Sequence, residues 1–332
     1  MTRGQFRLPH WGPGLFVVAA FAFGFFTPSA QAWGCKGHQT VALIAEKHLT
    51  PEARQMVDSI LRANPIDPAL KRWCGNSTTD LMVDASTWPD DVRGQRKNGS
   101  WHYIDIPREA KKGPLGPYCG ADSCVTEVIK AQTAVLQDKS ADPLKRAEAL
   151  RYIIHFVGDL HQPMHGVDNN DHGGNCVPVQ YLRVAPRLNL RWPQNHDYSP
   201  NLHGIWDTEV LERDMEVGDP WRYADDLDTA FTLRIAGWEK AGIQIDDWAW
   251  ESHDLANGVA YGAFSEKIEP EAPVKMKTCA DDNDIASRML SKHLVAGEAY
   301  QAAAAPVVQE RVEQAGVRLA MILNAAATKL AP

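Results

Sequence analysis

The sequence lacks several features that would assign it to common protein classes. Beyond the first 32 residues, no segment has eighteen consecutive apolar residues, so we expect no transmembrane helix there. There is no internal repeat or low-complexity block, which disfavours a repeat array or a largely disordered chain. There is also no strong linker, and the 332-residue chain is therefore expected to contain one large domain.

An excess of positive charge is also absent. The whole chain has a net charge of −8, and without its first 32 residues it has 32 basic and 42 acidic residues, a net charge of −10. Such a protein is poorly suited to holding duplex DNA by neutralising phosphates over a broad face. If it acts on nucleic acid, it needs a local positive centre, which bound metal ions can supply.

The N-terminal segment has the pattern of a signal peptide. Arg3 and Arg7 precede an apolar run at 15–26, and Ala30-Gln31-Ala32 has the small-x-small pattern of a signal peptidase site. We therefore predict a signal peptide at 1–32, a mature domain at 33–332 that begins with Trp33, and a periplasmic or secreted location. An uncleaved membrane anchor is the alternative.

Cysteines are few, and no C-x-x-C pair is present, which disfavours a thiolate metal site. An even number of cysteines in an exported protein predicts disulfides, and six cysteines allow fifteen pairings. Only Cys119 with Cys124 is suggested locally, because Gly120 allows the intervening loop to turn tightly. The other four are Cys35, Cys74, Cys176 and Cys279.

Apolar periodicity predicts an all-α fold, a single helical domain with long loops. A helical pattern follows Cys35 up to residue 49. Further helices are predicted at 51–63, 126–137, 143–160, 202–215, 284–303 and 307–328. Residues 64–124 are rich in Pro, Gly, Asp and Asn, which predicts long loops with short helical pieces. Residues 177–184 alternate apolar and polar side chains, as in a short hairpin arm.

Two histidine–aspartate pairs carry the main chemical signal. His155 and Asp159 are four residues apart, as are His203 and Asp207, so each pair shares one helical face. Imidazole and carboxylate groups at this spacing can hold one zinc ion. A single pair is more often an ordinary helical contact, but Pro163 breaks the first helix and can return His165 to the same face. His161 falls on another side of that helix and is left out.

Two further segments give weaker candidates. Asp90 lies three residues before Arg93, and His102 lies three residues before Asp105. Both segments are predicted as loops, in which solvated charges are the commoner explanation. The N-terminus predicted by signal cleavage adds Trp33, followed by His38.

Together these motifs resemble the single-strand-specific, trinuclear-zinc nucleases across nearly the whole mature chain. The resemblance rests on H-x-x-x-D-x-x-x-x-x-H with an internal Gln-Pro, W-x-D-x-x-R, H-x-x-D, N-L-H-x-x-W-D and the N-terminal Trp. It implies the helical fold shared with zinc-dependent phospholipase C. It also implies three Zn²⁺ ions as cofactors.

The resemblance also implies roles for individual residues. The metal ligands would be the α-amino group and carbonyl of Trp33 together with the side chains of His38, Asp90, His102, His155, Asp159, His165, His203 and Asp207. Asp159 would bridge two ions. Asp105 would match the catalytic carboxylate and Arg93 the phosphate-contacting arginine. Asn175, in a glycine-rich loop, would contact the nucleotide.

The implied activity is hydrolysis of single-stranded DNA and RNA to 5′-phosphorylated products, with possible 3′-nucleotidase action on mononucleotides. No membrane contact after signal cleavage and no obligate protein partner are expected. A zinc-dependent phospholipase C is the closest alternative, but it has H-x-x-x-E where this chain has His203 and Asp207. A non-enzymatic zinc-binding protein is a second alternative, which would require closed metal sites.

Overall fold

The computed structural model describes residues 33–75, 77–121, 123–188, 198–215, 218–264, 279 and 283–330. The predicted signal peptide at 1–32 lies outside these residues. None of the described helices combines the length and the apolar character that crossing a membrane requires.

The described part of the chain is predominantly helical, as predicted. Its α-helices are α1 (Cys35–Lys47), α2 (Pro51–Ala63), α3 (Leu81–Arg96), α4 (Val125–Gln137), α5 (Pro143–His161), α6 (Leu202–Gly204), α7 (Val210–Asp214), α8 (Pro220–Ala241), α9 (Ile245–Leu255), α10 (Asn283–Ser291) and α11 (Glu298–Leu330). Its strands are β1 (Val179–Tyr181), β2 (Arg187–Leu188), β3 (Tyr198–Ser199) and β4 (Leu294–Ala296). Strand β1 pairs in parallel with β4, and β2 pairs antiparallel with β3.

The long helix α11 forms the centre of the packing and contacts α1, α5 and α8. Gly316 permits the closest approach of α11 to α1, because a Cβ atom there would lie 2.4 Å from Cγ2 of Ile44. Helix α1 also packs against α3, and α5 packs against α3 and α4. The packing of α1, α3 and α5 against one another positions the candidate site.

Several local predictions were wrong. Residues 64–124 contain the 16-residue helix α3, which begins because the Asp80 side chain accepts N–H bonds from Met82 and Val83. The segment 202–215 is interrupted by a π-helical turn, Ile205–Glu209, between α6 and α7. Of the hairpin arm expected at 177–184, only a tight turn with one antiparallel bridge between Tyr181 and Val184 forms, and β1 pairs with the distant β4.

The C-terminal helices are also divided differently from the prediction. Strand β4 separates α10 from α11, and α11 continues through Pro306. Pro306 is exposed, so its missing N–H leaves no buried carbonyl without a donor. Helices α8 and α9 had no counterpart in the prediction.

The six cysteines form three disulfides, Cys35–Cys74, Cys119–Cys124 and Cys176–Cys279. The Cys119–Cys124 pair is the one suggested from the sequence. The Cys35–Cys74 bond ties the start of α1 to the segment before α3.

Candidate metal centre

Helix α5 provides the base of the site. His155 and Asp159 face the same side of the helix, and both are fully buried. The helix ends at His161, and the 3₁₀ turn Pro163–Gly166 then reverses the chain. This turn returns His165 toward the same face, as the sequence predicted, and its Nδ1 lies 2.7 Å from the carbonyl of His102.

Asp159 is the centre of a first cluster. Its carboxylate oxygens lie 3.2 Å from Nε2 of His38, 2.9 Å from Nδ1 of His102 and 3.3 Å from Nε2 of His155. Oδ1 of Asp90 lies 3.8 Å from His102 and 3.9 Å from His155. Four helical or turn segments thus bring five predicted ligands together.

A second cluster combines His165, His203 and Asp207. The two Nε2 atoms of the histidines are 3.1 Å apart, and the Asp207 oxygens lie 3.7 Å from His165 and 3.4 Å from His203. The π-helical turn carries Asp207. Separations of this size are expected for groups that lie about 2 Å from one shared zinc ion.

The two clusters contain buried polar atoms that no described group satisfies. Nε2 of His38 and one carboxylate oxygen each of Asp90, Asp159 and Asp207 make no hydrogen bond within the described residues. A buried carboxylate oxygen without a hydrogen bond is costly, and a cation would satisfy it. Imidazole nitrogens with carboxylate oxygens form a donor set suited to zinc, so these residues fit the metal implied by the resemblance.

Backbone carbonyls orient three of the histidines. Nδ1 of His155, His165 and His203 each lies 2.7 Å from a backbone oxygen, of Ser86, His102 and Gly173 respectively. If each Nδ1–H donates to its carbonyl, each Nε2 lone pair is directed into the cavity. This outer arrangement is typical of metal-binding histidines.

Burial keeps most of the imidazoles neutral. It lowers the pKa of His38, His165 and His203, and it lowers that of His102 to about 4. His155 differs, because burial is outweighed by the charges of Asp159 and Asp90, which raise its pKa to about 9. The surroundings of His155 therefore favour a positive charge.

Trp33 is the first described residue, and His38 of α1 lies beside Asp159. The Trp33 side chain is fully buried, and the N–H of Gly34 donates to the carbonyl of Asp207 over 2.6 Å. Gly158 allows α1 to approach, because a Cβ atom there would lie 3.0 Å from Nδ1 of His38. The sequence patterns gave no indication of this packing role for Gly158.

Two predicted catalytic residues, Arg93 and Asp105, lie outside both clusters. Arg93 packs over Gly99, and its charge adds to burial in lowering the pKa of His102, His165 and His203. Arg93 and Asp90 belong to α3 and not to the loop that was predicted.

Asp105 is exposed on one side. Partial burial of its carboxyl group is the main cause that raises its pKa to about 7, and the charge of Asp168 adds to this shift. Within the described chain, no hydrogen bond connects Asp105 to a predicted ligand.

The predicted nucleotide contact lies in a braced loop. Asp168 accepts N–H bonds from Asp171 and Gly173, and the Asp171 carboxylate accepts from Gly174. The Asn175 amide nitrogen donates to the carbonyl of His172, while its buried oxygen has no partner among the described groups. That oxygen remains available as an acceptor.

Two neighbours of the motif have roles that spacing alone did not predict. The Gln162 amide donates to Asp207 and its oxygen accepts from the N–H of Met164, so it fixes one carboxylate of the second cluster. The Gln-Pro pair inside the motif was the available signal. His161 lies outside both clusters and contacts Arg318 through Nε2 at 3.0 Å.

Known proteins are similar to this chain over the region that contains both clusters. The family model for the S1/P1 nucleases matches residues 33–328, which include every predicted ligand. Endonuclease 3 of Arabidopsis thaliana is 24% identical over 327 residues, 95% of each chain. Nuclease S1 of Aspergillus oryzae is 26% identical over 309 residues, 90% of this chain and 92% of its own. Nuclease P1 of Penicillium citrinum is 30% identical over 187 residues, 54% of this chain and 59% of its own.

Proposed function

Because the chain belongs to the S1/P1 nuclease family, we propose that it is a zinc-dependent endonuclease acting on single-stranded DNA and RNA. It hydrolyses phosphodiester bonds and leaves 5′-phosphorylated products, and it also acts as a 3′-nucleotidase on mononucleotides. The observation that carries the proposal is the pair of adjoining histidine–aspartate clusters with unsatisfied buried oxygens. Relatives named nucleases along most of the chain support the same reaction.

We assign three zinc ions to the centre. One would be held by Trp33 and His38 with Asp159, a second by Asp90, His102, His155 and Asp159, and the third by His165, His203 and Asp207. Zinc in such sites polarises phosphate oxygens and lowers the pKa of bound water to about 7. The separations of Asp159 from His102 and His155 support the second grouping, and the separation of Asp207 from His203 supports the third.

Arg93, Asp105 and Asn175 provide the remaining chemistry. Arg93 donates charge-assisted hydrogen bonds to the phosphate as negative charge builds up on it. Asp105 accepts a proton from the attacking water, because a carboxyl with a pKa of about 7 exchanges protons readily near neutral pH. The free oxygen of Asn175 accepts a hydrogen bond from the nucleotide.

Export and cleavage belong to the same proposal. Residues 1–32 act as a signal peptide, residues 33–332 form the catalytic domain, and the enzyme acts in the periplasm or outside the cell. Cleavage creates the α-amino group of Trp33, which would serve as a zinc ligand. Three disulfides are consistent with an oxidising compartment.

The decisive experiment offers purified mature enzyme single-stranded DNA, RNA, duplex DNA, a nucleoside 3′-monophosphate and phosphatidylcholine. We expect cleavage of both single strands, slower cleavage of the duplex and no attack on the lipid. A chelator should abolish activity, and zinc should restore it. Cleavage of the lipid alone would assign the protein to the phospholipase alternative and overturn the proposal.

A further inference from the structure

A separate polar cluster lies at the opposite end of α1 from the metal centre. His48, the residue that ends α1, lies 2.8 Å from Asp228 of α8 through Nε2 and Oδ1. Glu313 of α11 completes the cluster, and the ligand atoms of all three residues lie within 4.8 Å of one another. His48 follows His38 by ten residues, a rise of about 15 Å along a helix, and the two sites share no residue.

Glu313 is the unusual member of this cluster. It is fully buried, yet neither carboxylate oxygen has a hydrogen-bond partner within the described chain. The neighbouring cation, Lys47, contacts Asp225 through its Nζ atom. A buried carboxylate with no partner is costly for folding, because nothing replaces the water that it loses.

The pKa of Glu313 is consistent with a carboxylate that lacks a positively charged partner. Burial and then the charge of Asp228 raise the pKa of Glu313 to about 8, and Lys47 opposes this shift. The carboxyl therefore either keeps a proton or gains a cation. His48 and Asp228 already provide two further ligand atoms beside it.

We propose that His48, Asp228 and Glu313 bind a second-site zinc ion, or a divalent cation of the same class. One imidazole nitrogen and two carboxylates form a donor set that zinc accepts, whereas magnesium and calcium prefer oxygen ligands alone. The side chains of His48 and Asp228 are 19% and 31% exposed, so the ion can enter from solvent and water can complete its shell. Glu313 supplies the buried anchor.

Such an ion would link three helices. Helices α1, α8 and α11 pack against one another in pairs, and each contributes one ligand. The ion stabilises the folded state because the three groups do not converge in the unfolded chain. Since α1 also carries His38, the second site holds the helix that reaches the metal centre.

Equilibrium dialysis of the mature holoprotein against buffered free zinc tests the proposal. The variants are Glu313→Gln and Asp228→Asn. Asp228 is partly exposed, so its replacement leaves the core intact. At saturating zinc, we expect wild type to bind one more equivalent per chain than either variant, with nuclease activity within about twofold of wild type in each. Magnesium should not add that equivalent.

Matched controls come from the same helices. Asp225→Asn removes an exposed acid of α8 that contacts Lys47, and Glu310→Gln removes an exposed acid of α11 that contacts Arg234. Both should bind as much zinc as wild type. Zinc isotherms that coincide for wild type, Glu313→Gln and Asp228→Asn would overturn the proposal and leave Glu313 as a protonated core residue. Because the comparison is a difference, it does not depend on how many ions the catalytic centre holds.

Discussion

Two buried polar regions flank the C-terminal half of α5, and they balance their charges in opposite ways. The first is the pair of clusters around Asp159 and Asp207. The second, which we name the arginine network, comprises Arg311, Arg318, Glu251, His161 and Ser252. In the network, Arg311 lies 2.7 Å from Glu251 and 2.8 Å from Ser252, and Arg318 lies 2.6 Å from Glu251. The network therefore contains its own cations.

Two histidines of α5 show the effect of this difference. His161 faces the network, where burial and the charges of Arg311 and Arg318 lower its pKa well below the usual value. His155, six residues earlier, has its pKa raised to about 9, because Asp159 and Asp90 outweigh burial. A buried histidine near a carboxylate is therefore not sufficient evidence of a metal site. A shortage of internal positive charge is the distinguishing property.

The largest effect is expected from two adjacent carboxylates of α3. Asp90 faces the metal centre, whereas Asp91 pairs with Arg72 at 2.8 Å and accepts the N–H of Trp73. Asp90→Asn should lower activity at least about 100-fold, since loss of even an outer partner of a metal ligand costs 10–100-fold. Asp91→Asn should instead lower stability while metal content stays at the wild-type level.

Nuclease rates, zinc content and urea unfolding of both variants measure this separation. If Asp90→Asn retains full zinc and activity, Asp90 is not a ligand. If Asp91→Asn loses zinc, the two regions are not energetically distinct.

The second prediction tests the arginine network. Arg311→Met removes a fully buried cation that contacts Glu251, Ser252 and the carbonyl of His161. Glu251 is 39% exposed and keeps its contact with Arg318, so the loss comes mainly from the buried hydrogen bonds and should lower the free energy of unfolding by about 1–3 kcal/mol. The control, Arg234→Met, breaks an exposed pair with Glu310 and should cost about 0–1 kcal/mol.

Both arginine variants should bind as much zinc as wild type, measured as metal per folded chain. A loss of zinc in Arg311→Met alone would mean that the network supports the metal centre. Equal unfolding free energies for Arg311→Met and Arg234→Met would mean that the arginine network stabilises the fold no more than an exposed ion pair does.

The convergence of these histidine and aspartate side chains could be predicted because its signals are local. His155 with Asp159, and His203 with Asp207, are spaced by one helical turn, and zinc restricts the residue types. The Pro163 break was equally readable. By contrast, the roles of Gln162 and Gly158 depend on segments distant in sequence, namely those that carry Asp207 and His38.

The fold was less predictable where tertiary contacts decide it. Helix α8 buries only Pro220, Tyr223, Ala224 and Leu227, and its Leu233 is 97% exposed, so its apolar pattern is weak. Helix α3 contains Pro89 and lies in a segment rich in loop-forming residues, yet its cap and its packing on α1 and α5 form it. The parallel pairing of β1 with β4 joins residues more than a hundred positions apart, which no local pattern encodes.

The smallest effect is expected at Asp105 and Asp168, two carboxylates that again form a region with an excess of negative charge. The charge of Asp168 contributes to raising the pKa of Asp105 to about 7, so Asp168→Asn should lower that pKa. If Asp105 must be ionised to accept a proton, the acidic limb of the kcat/KM profile should move to lower pH by less than one unit, which raises activity a few-fold on that limb.

Asparagine keeps the oxygen that accepts from Asp171 and Gly173, so the loop should stay in place. Glu109→Gln, which removes an exposed acid nearby, should leave the limb unmoved, and a limb that stays fixed or moves upward in Asp168→Asn would show that Asp105 is not the titrating base.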